Sequence, residues 1–381
     1  MRERDVDVKD RLPKDGEQLR SSTGRAASLR QWAAHSVCVL AVTCVMLHAQ
    51  TSNPPAQPPD WENPSGRYAV VMEEDAGLPD HTVYRPADLT AIQGEQRLPI
   101  VAFAGPGCDA NGTAFRPFFT EVASHGFLLI VSGPPEPRGG SGPNFPKTAP
   151  GDLSASIDWA IAENSRPGSK YSGRIDTSKV AVMGQSCGGA QSLFISEDLR
   201  IDTIVMWNST SFTSGPSGRG RGAGRGAPPA GDGPVAEAPT PAGVPAGAGA
   251  PTAAAAPGGR RGRGGRGGIP VPSVNPALLQ TLRIPIAYFI GGERDILYGG
   301  AVADIALYEA APLFWASIDI PGNDPHAGTF REKNGGTFGV VGVAWLEWRL
   351  TGDSQAARMF EGPDCGLCTD PRWDVRKKNM E

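Results

Sequence analysis

The feature that most restricts how this chain can fold is the stretch 180–190. Here the apolar run Val180-Ala181-Val182-Met183 breaks into Gly184-Gln185-Ser186-Cys187-Gly188 and resumes with Gly189 and Ala190 as a small-residue helix start. A buried strand that turns at once into a helix leaves one residue at the apex, strained in its backbone and with its side chain raised above the sheet. Gly184 and Gly188 account for the spacing, since a side chain two residues before or after the apex would collide across so tight a turn. The helix that follows points its N-terminus at the apex, which favours developing negative charge there. In a chain with 50 glycines the same pattern also describes an ordinary Ser/Gly turn, so the neighbouring sequence must discriminate between the two.

Around this stretch, strand-like runs alternate with helical spacing. Residues 67–72 and 82–85 read as an opening hairpin across a Gly/Pro/Asp turn. The run 98–104 is continuously apolar and ends in Gly105-Pro106-Gly107, as expected of a central strand buried on both faces. Phe115, Phe118, Phe119 and Val122 place a helix over 113–125, and 127–131 is a second buried strand. Asp152, as an N-cap, opens a helix carrying Ile157, Trp159, Ala160 and Ile161. Strands are expected at 179–183, 201–207 and 284–290, with a last one at 314–320. Residues 192–195 continue the helix after Ser186, 301–311 form another, and 338–350 close the fold with Trp345 and Trp348. This alternation predicts an α/β fold, a mostly parallel central sheet with helices on both faces.

The 381 residues, 39% hydrophobic and 20% charged, can bury one good-sized core or two small ones. A net charge of −4 excludes a globally basic nucleic-acid binder. Residues 1–50 read as a signal peptide or N-terminal leader, with Arg20, Arg25 and Arg30 before an apolar stretch at 37–47 that is short for a membrane span. A retained anchor is the alternative. A Pro-rich linker follows at 51–66, the main domain occupies 67–350, and 351–381 is a C-terminal tail. Within the domain, 214–272 is almost entirely Gly, Ala, Pro and Arg, too poor in apolar side chains to offset the entropy of ordering it, and is read as a disordered insertion. Its Arg-Gly clusters at 218–226 and 259–268 resemble RNA-binding tails. With no aromatic residue interleaved, they read instead as a solvated loop.

Removal of the leader takes away Cys38 and Cys44 and leaves Cys108, Cys187, Cys365 and Cys368 for an oxidising compartment, secreted or periplasmic. Cys365-Gly-Leu-Cys368 lacks a second Cys or His pair to complete a zinc site, which favours a disulfide over a redox pair or half a metal site.

A serine hydroxyl needs a base, and the base needs an acid to orient it. Of five histidines, His35 and His48 lie in the leader, His81 precedes the second strand, and His125 ends a helix on the edge opposite the strand C-termini. That leaves His326, in the loop Gly322-Asn323-Asp324-Pro325-His326-Ala327-Gly328 after a late strand. For the acid, Asp295 in Gly291-Gly292-Glu293-Arg294-Asp295 gives the order Ser, Asp, His; Glu293 and Asp324 compete with it. Acyl transfer also needs donors for an oxyanion. The backbone N–H of Cys187 is one, and Gly107 or Cys108, after the strand 98–104, supplies the other.

These residues resemble the chlorophyllase, cutinase-like polyester hydrolase and dienelactone hydrolase-related branch of the α/β-hydrolases. The resemblance rests on the segment 99–131 with Gly107-Cys108 and Ala123-Ser124-His125-Gly126-Phe127, on Gly-x-Ser-x-Gly-Gly, and on the late Asp and His. It spans about 67–350 without the insertion. It implies Ser186 as nucleophile, Asp295 as acid, His326 as base, Cys108 and Cys187 as oxyanion-hole donors, and no cofactor or metal. Polyester hydrolases usually carry an aromatic residue where this chain has Cys108.

Because the donors of one oxyanion hole must be neighbours, Cys108 and Cys187 are expected either within disulfide reach or as separate thiols beside the site. Trp207 either walls the acyl pocket and binds substrate or belongs to the core. The expected activity is that of a serine hydrolase cleaving carboxylic esters through an acyl-enzyme, with a small-molecule ester as partner, no nucleic acid, and no stable membrane span once the leader is cleaved. The alternatives are a peptidase or acyltransferase on the same triad, or a non-catalytic binding protein acting through the insertion.

Overall fold

The apolar runs assemble into one sheet. The structure is a computed structural model that describes residues 63–92, 96–136, 146–213, 272–322 and 324–380, all within the unit Gln57–Glu381. The leader, most of the linker, and the insertion except Pro272 lie outside the described residues. The strands are β1 (Val70–Asp75), β2 (Leu78–Pro86), β3 (Leu98–Ala104), β4 (Leu128–Ser132), β5 (Ile175–Gln185), β6 (Thr203–Trp207), β7 (Ile286–Ile290), β8 (Leu313–Ile318) and β9 (Trp373–Lys378). Their spatial order is β1-β2-β4-β3-β5-β6-β7-β8-β9. The inner six, from β4 to β8, are parallel, and the edges β1, β2 and β9 pair antiparallel.

Every residue of β3, β4, β6, β7 and β8 is buried, because helices cover both faces and a side chain on either side meets core. On one face Ile100, Ala102, Val182 and Met206 pack with α2 (Pro150–Ser165), α3 (Cys187–Phe194) and α5 (Tyr298–Leu307). On the other, Val101, Phe103, Met183 and Trp207 pack with α1 (Arg116–Ser124) and α6 (Gly336–Leu346). The period-two alternation of each strand thus feeds two cores, the arrangement of an α/β fold.

Several elements depart from expectation. The helix expected to open at Asp152 begins at Pro150, where the ring pre-sets the backbone for the first turn. Asp152 instead accepts the backbone N–H of Ala149 at 2.9 Å from inside that turn. His81 lies within β2 rather than before it. A short helix, α4 (Pro276–Thr281), was not anticipated. The largest difference is at 351–381. These residues are not a tail, because α7 (Ser354–Ala357) and α8 (Gly366–Thr369) lead to β9, which pairs along the whole of β8. Strand β8 is therefore not the last. Trp373 anchors β9 in the aromatic cluster, while the charged Asp374, Arg376, Lys377 and Lys378 keep the edge solvated.

Strand order reverses direction at β3 and β5: the chain moves from β3 outward to β4, then crosses back to β5 on the other side. Such a switch point opens a crevice at the C-terminal ends of the two strands. Both the Ser186 turn and the Gly107-Cys108 turn stand there.

Candidate active site

Strand β5 ends at Gln185 and α3 begins at Cys187, so Ser186 alone makes the turn, with φ 55° and ψ −119°. A non-glycine residue in this region costs about 1–3 kcal/mol and persists only where its surroundings over-determine it. Here they do. A Cβ on Gly184 would overlap the Gly188 carbonyl, one on Gly188 would overlap the backbone of Ala104, and one on Gly189 would overlap Ser209. The Ser186 N–H donates to the Trp207 carbonyl at 2.9 Å, and its own carbonyl accepts the Ser209 hydroxyl at 2.6 Å.

His326, reached by elimination among the histidines, and Asp295, preferred from chain order, meet at this apex. His326 Nε2 lies 2.9 Å from Ser186 Oγ, and His326 Nδ1 lies 2.8 Å from Asp295 Oδ1. The Asp295 side chain is fully buried and that of His326 is 21% exposed, so the imidazole forms the boundary between solvent and the carboxylate. Asp295 Oδ1 also accepts the Leu297 N–H at 2.9 Å, which orients the carboxylate. An imidazole with its proton on Nδ1 donates to Asp295 and leaves Nε2 to accept the serine hydroxyl. Glu293 is exposed, and Asp324 accepts the His326 backbone N–H at 3.0 Å, shaping the loop as an Asx turn.

The strand β3 runs into a tight turn, Pro106–Cys108, with Gly107 and Cys108 at φ 63° and 53°. Cys108 and Cys187 stand at disulfide-bonding distance, Cα–Cα 5.2 Å, joining this turn to the start of α3. The Cys187 N–H is the first of its helix and so has no partner within it. The Cys108 carbonyl accepts the Thr148 N–H at 2.8 Å, and Thr148 is held in turn by Gln191 Nε2 at 2.8 Å. Thr148 and Gln191 were not anticipated, since nothing local in sequence relates a loop threonine to a turn 40 residues away. Cys365 and Cys368 are a second pair at bonding distance.

Trp207 does not wall the site. Its side chain is fully buried against Phe118, Phe289, Phe330 and Phe338, with ring centroids 4.9–5.5 Å apart. Alternation along β6 turns the indole to the α1/α6 face, while its backbone carbonyl accepts the Ser186 N–H. His81 is buried, with Nδ1 2.9 Å from the Pro79 carbonyl and Nε2 3.0 Å from that of Asp152, so both ring nitrogens face backbone carbonyls. His35 and His48 lie outside the described residues.

Among the described residues no group of three or more His, Cys, Asp or Glu side chains is arranged to hold a metal, and no helix is long and apolar enough to cross a membrane. Compared with known proteins, the chain matches no family model and no curated protein.

Proposed function

We propose that this protein is a serine hydrolase of the α/β-hydrolase type, cleaving carboxylic esters through an acyl-enzyme. The observation that carries the reading is the continuous relay from Ser186 Oγ to His326 Nε2 and from His326 Nδ1 to Asp295, at 2.9 and 2.8 Å, on a serine held at φ 55°. In this reading His326 takes the Ser186 proton as Oγ bonds to the ester carbonyl carbon. Asp295 stabilises the imidazolium that forms. The N–H groups of Cys108 and Cys187, beside the N-terminus of α3, receive the charge on the carbonyl oxygen. When the tetrahedral species collapses, the carbon–oxygen bond to the alcohol breaks and His326 returns the proton to it. Water, deprotonated by the same imidazole, then releases the acid and frees Ser186. Cysteine pairs at bonding distance, one of them at the site, support export to an oxidising compartment, secreted or periplasmic.

A fluorophosphonate probe tests this reading. The wild-type protein is expected to be labelled and Ser186→Ala is not; labelling that survives the substitution, or a wild type that never reacts, would sink it.

A further inference from the structure

A base in a loop is useful only if the loop is held. His326 is flanked by Pro325, which donates no backbone hydrogen bond, and by glycines at 322 and 328 that give the loop freedom. Asp324 shapes the loop from within, its carboxylate accepting the His326 N–H and its carbonyl those of Ala327 and Gly328, and further donors come from the strand ends. The His326 carbonyl accepts from Gln185 Nε2 at 2.7 Å and from Asn208 Nδ2 at 2.8 Å, and the same Asn208 amide donates to the Pro325 carbonyl at 2.7 Å. Gln185 is the residue before Ser186, and Asn208 directly follows β6. Beyond β7, Gly291 approaches so closely that a Cβ there would overlap the Pro325 carbonyl. Three adjacent strand ends therefore grip one dipeptide.

Several features set these amides apart from ordinary core residues. Gln185 and Asn208 are 1% and 0% exposed, and each keeps its side-chain oxygen buried without a partner among the described residues. Such burial costs about 1–3 kcal/mol per group, which apolar residues of the same volume would avoid. Asn208 also sits at φ 42°, a further local strain. The segment it opens reaches both reacting groups: Asn208 holds the His326 loop, and Ser209 holds the Ser186 carbonyl. Next along, Ser211 N–H and Thr210 Oγ1 donate to the buried Asp304 carboxylate at 2.6 and 2.9 Å, fixing the segment from behind.

Resting on the triad reading above, we propose that Gln185 and Asn208 are positioning residues, setting the His326 imidazole in register with Ser186 by gripping its backbone carbonyl. A misplacement of about 1 Å can cost about a hundredfold in rate. Because primary amides remain neutral donors across the working pH range, the grip does not weaken as His326 gains and loses its proton.

The test joins kinetics to NMR on the whole chain. Asn208→Leu and Gln185→Met preserve volume and remove the donor. Each is expected to lower kcat on a p-nitrophenyl ester about 10- to 100-fold with KM within about twofold. Once His326→Ala has removed the imidazole, adding Asn208→Leu should change residual turnover less than about twofold. Independently of turnover, the proton between His326 Nδ1 and Asp295 gives a far-downfield resonance that should broaden or vanish in both variants. Unchanged kcat with an unchanged resonance would overturn the assignment, as would an equal loss in the His326→Ala background. If Asn208→Leu fails to fold, Gln185→Met decides alone, since it acts on the same carbonyl. A wild type without ester turnover would overturn the proposed function instead, and the resonance would then decide the positioning by itself.

Discussion

A serine, a histidine and carboxylates meet twice among the described residues. At the C-terminal strand ends are Ser186, His326 and Asp295. Beside the start of β3, lining a cavity of about 520 Å³, His125 stands with Nδ1 2.9 Å from Glu347 Oε1 and Nε2 3.2 Å from Glu121 Oε1, and Ser65 Oγ lies 3.4 Å from that Nε2. The second cluster has the same residue types but holds the histidine differently. Burial lowers the His125 pKa, yet the hydrogen bonds to Glu121 and Glu347 outweigh it and push it up to about 9. With an acceptor on each ring nitrogen, the imidazole is held as imidazolium and has no lone pair left to take a proton. The Ser65 hydroxyl is spent on Glu121. At Ser186 a single carboxylate engages a single nitrogen, and the turn brings the hydroxyl to the other. What the imidazole can do is set by how many acids grip it and by the backbone that presents the serine, not by the list of residues.

Breaking one member of each cluster should separate them most widely. Ser186→Ala is expected to lower kcat/KM on a p-nitrophenyl ester by about 10⁶-fold, while Ser65→Ala leaves it within about twofold. Next in size, Asp295→Asn should cost about 10⁴-fold, because a side-chain amide favours the wrong imidazole tautomer, whereas Glu347→Gln should leave turnover unchanged. Equal losses at the two sites would remove the distinction.

The two cysteine pairs sharpen the same contrast at smaller scale. Cys108–Cys187 spans 79 residues and ties the two expected oxyanion donors together, while Cys365–Cys368 spans 3. Loop-closure entropy assigns them about 4–5 and about 1–2 kcal/mol of stability. Replacing Cys108 and Cys187 with serine should lower kcat about 10- to 100-fold, read at a temperature where both proteins remain folded. The same change at Cys365 and Cys368 should leave kcat within about twofold. An undiminished kcat in the first variant would mean that the bond stabilises the fold but does not hold the donors.

How much of this was legible in sequence follows from how far each signal reaches. The inner strands read directly, because residues buried on both faces leave unbroken apolar runs such as 98–104. Ser186, Asp295 and His326 could be proposed from chain order and from the scarcity of histidines, since each sits in a loop just after a strand. Strand β9 could not: Trp373-Asp374-Val375-Arg376-Lys377-Lys378 is an edge whose charges look like a solvated tail until β8 pairs with it. Nor could Gln185 and Asn208, whose partner is a backbone carbonyl 141 and 118 residues away and leaves no mark on local composition. Trp207 was legible as apolar but not as core, since an indole at a strand end suits either a pocket wall or an aromatic cluster.

The smallest expected effect probes His125. The folded pKa of His125, about 9, lies above its ordinary value of 6.5. Its cluster therefore contributes its full stability below about pH 6.5 and loses it as pH rises through about 9; the shift alone corresponds to about 3 kcal/mol, which solvent screening of the partly exposed cluster reduces to about 2 kcal/mol. Denaturant titrations at about pH 6, 8 and 10 should show wild type losing its advantage over His125→Gln across this interval, with other groups common to both proteins cancelling in the difference. A difference that stays constant would mean that folding does not raise the His125 pKa, so that the imidazole is neutral above about pH 6.5. A neutral imidazole beside Ser65 has a nitrogen free to accept a proton, and the contrast between the two clusters would then rest on backbone geometry alone: the strained turn of Ser186 and the helix N-terminus next to it.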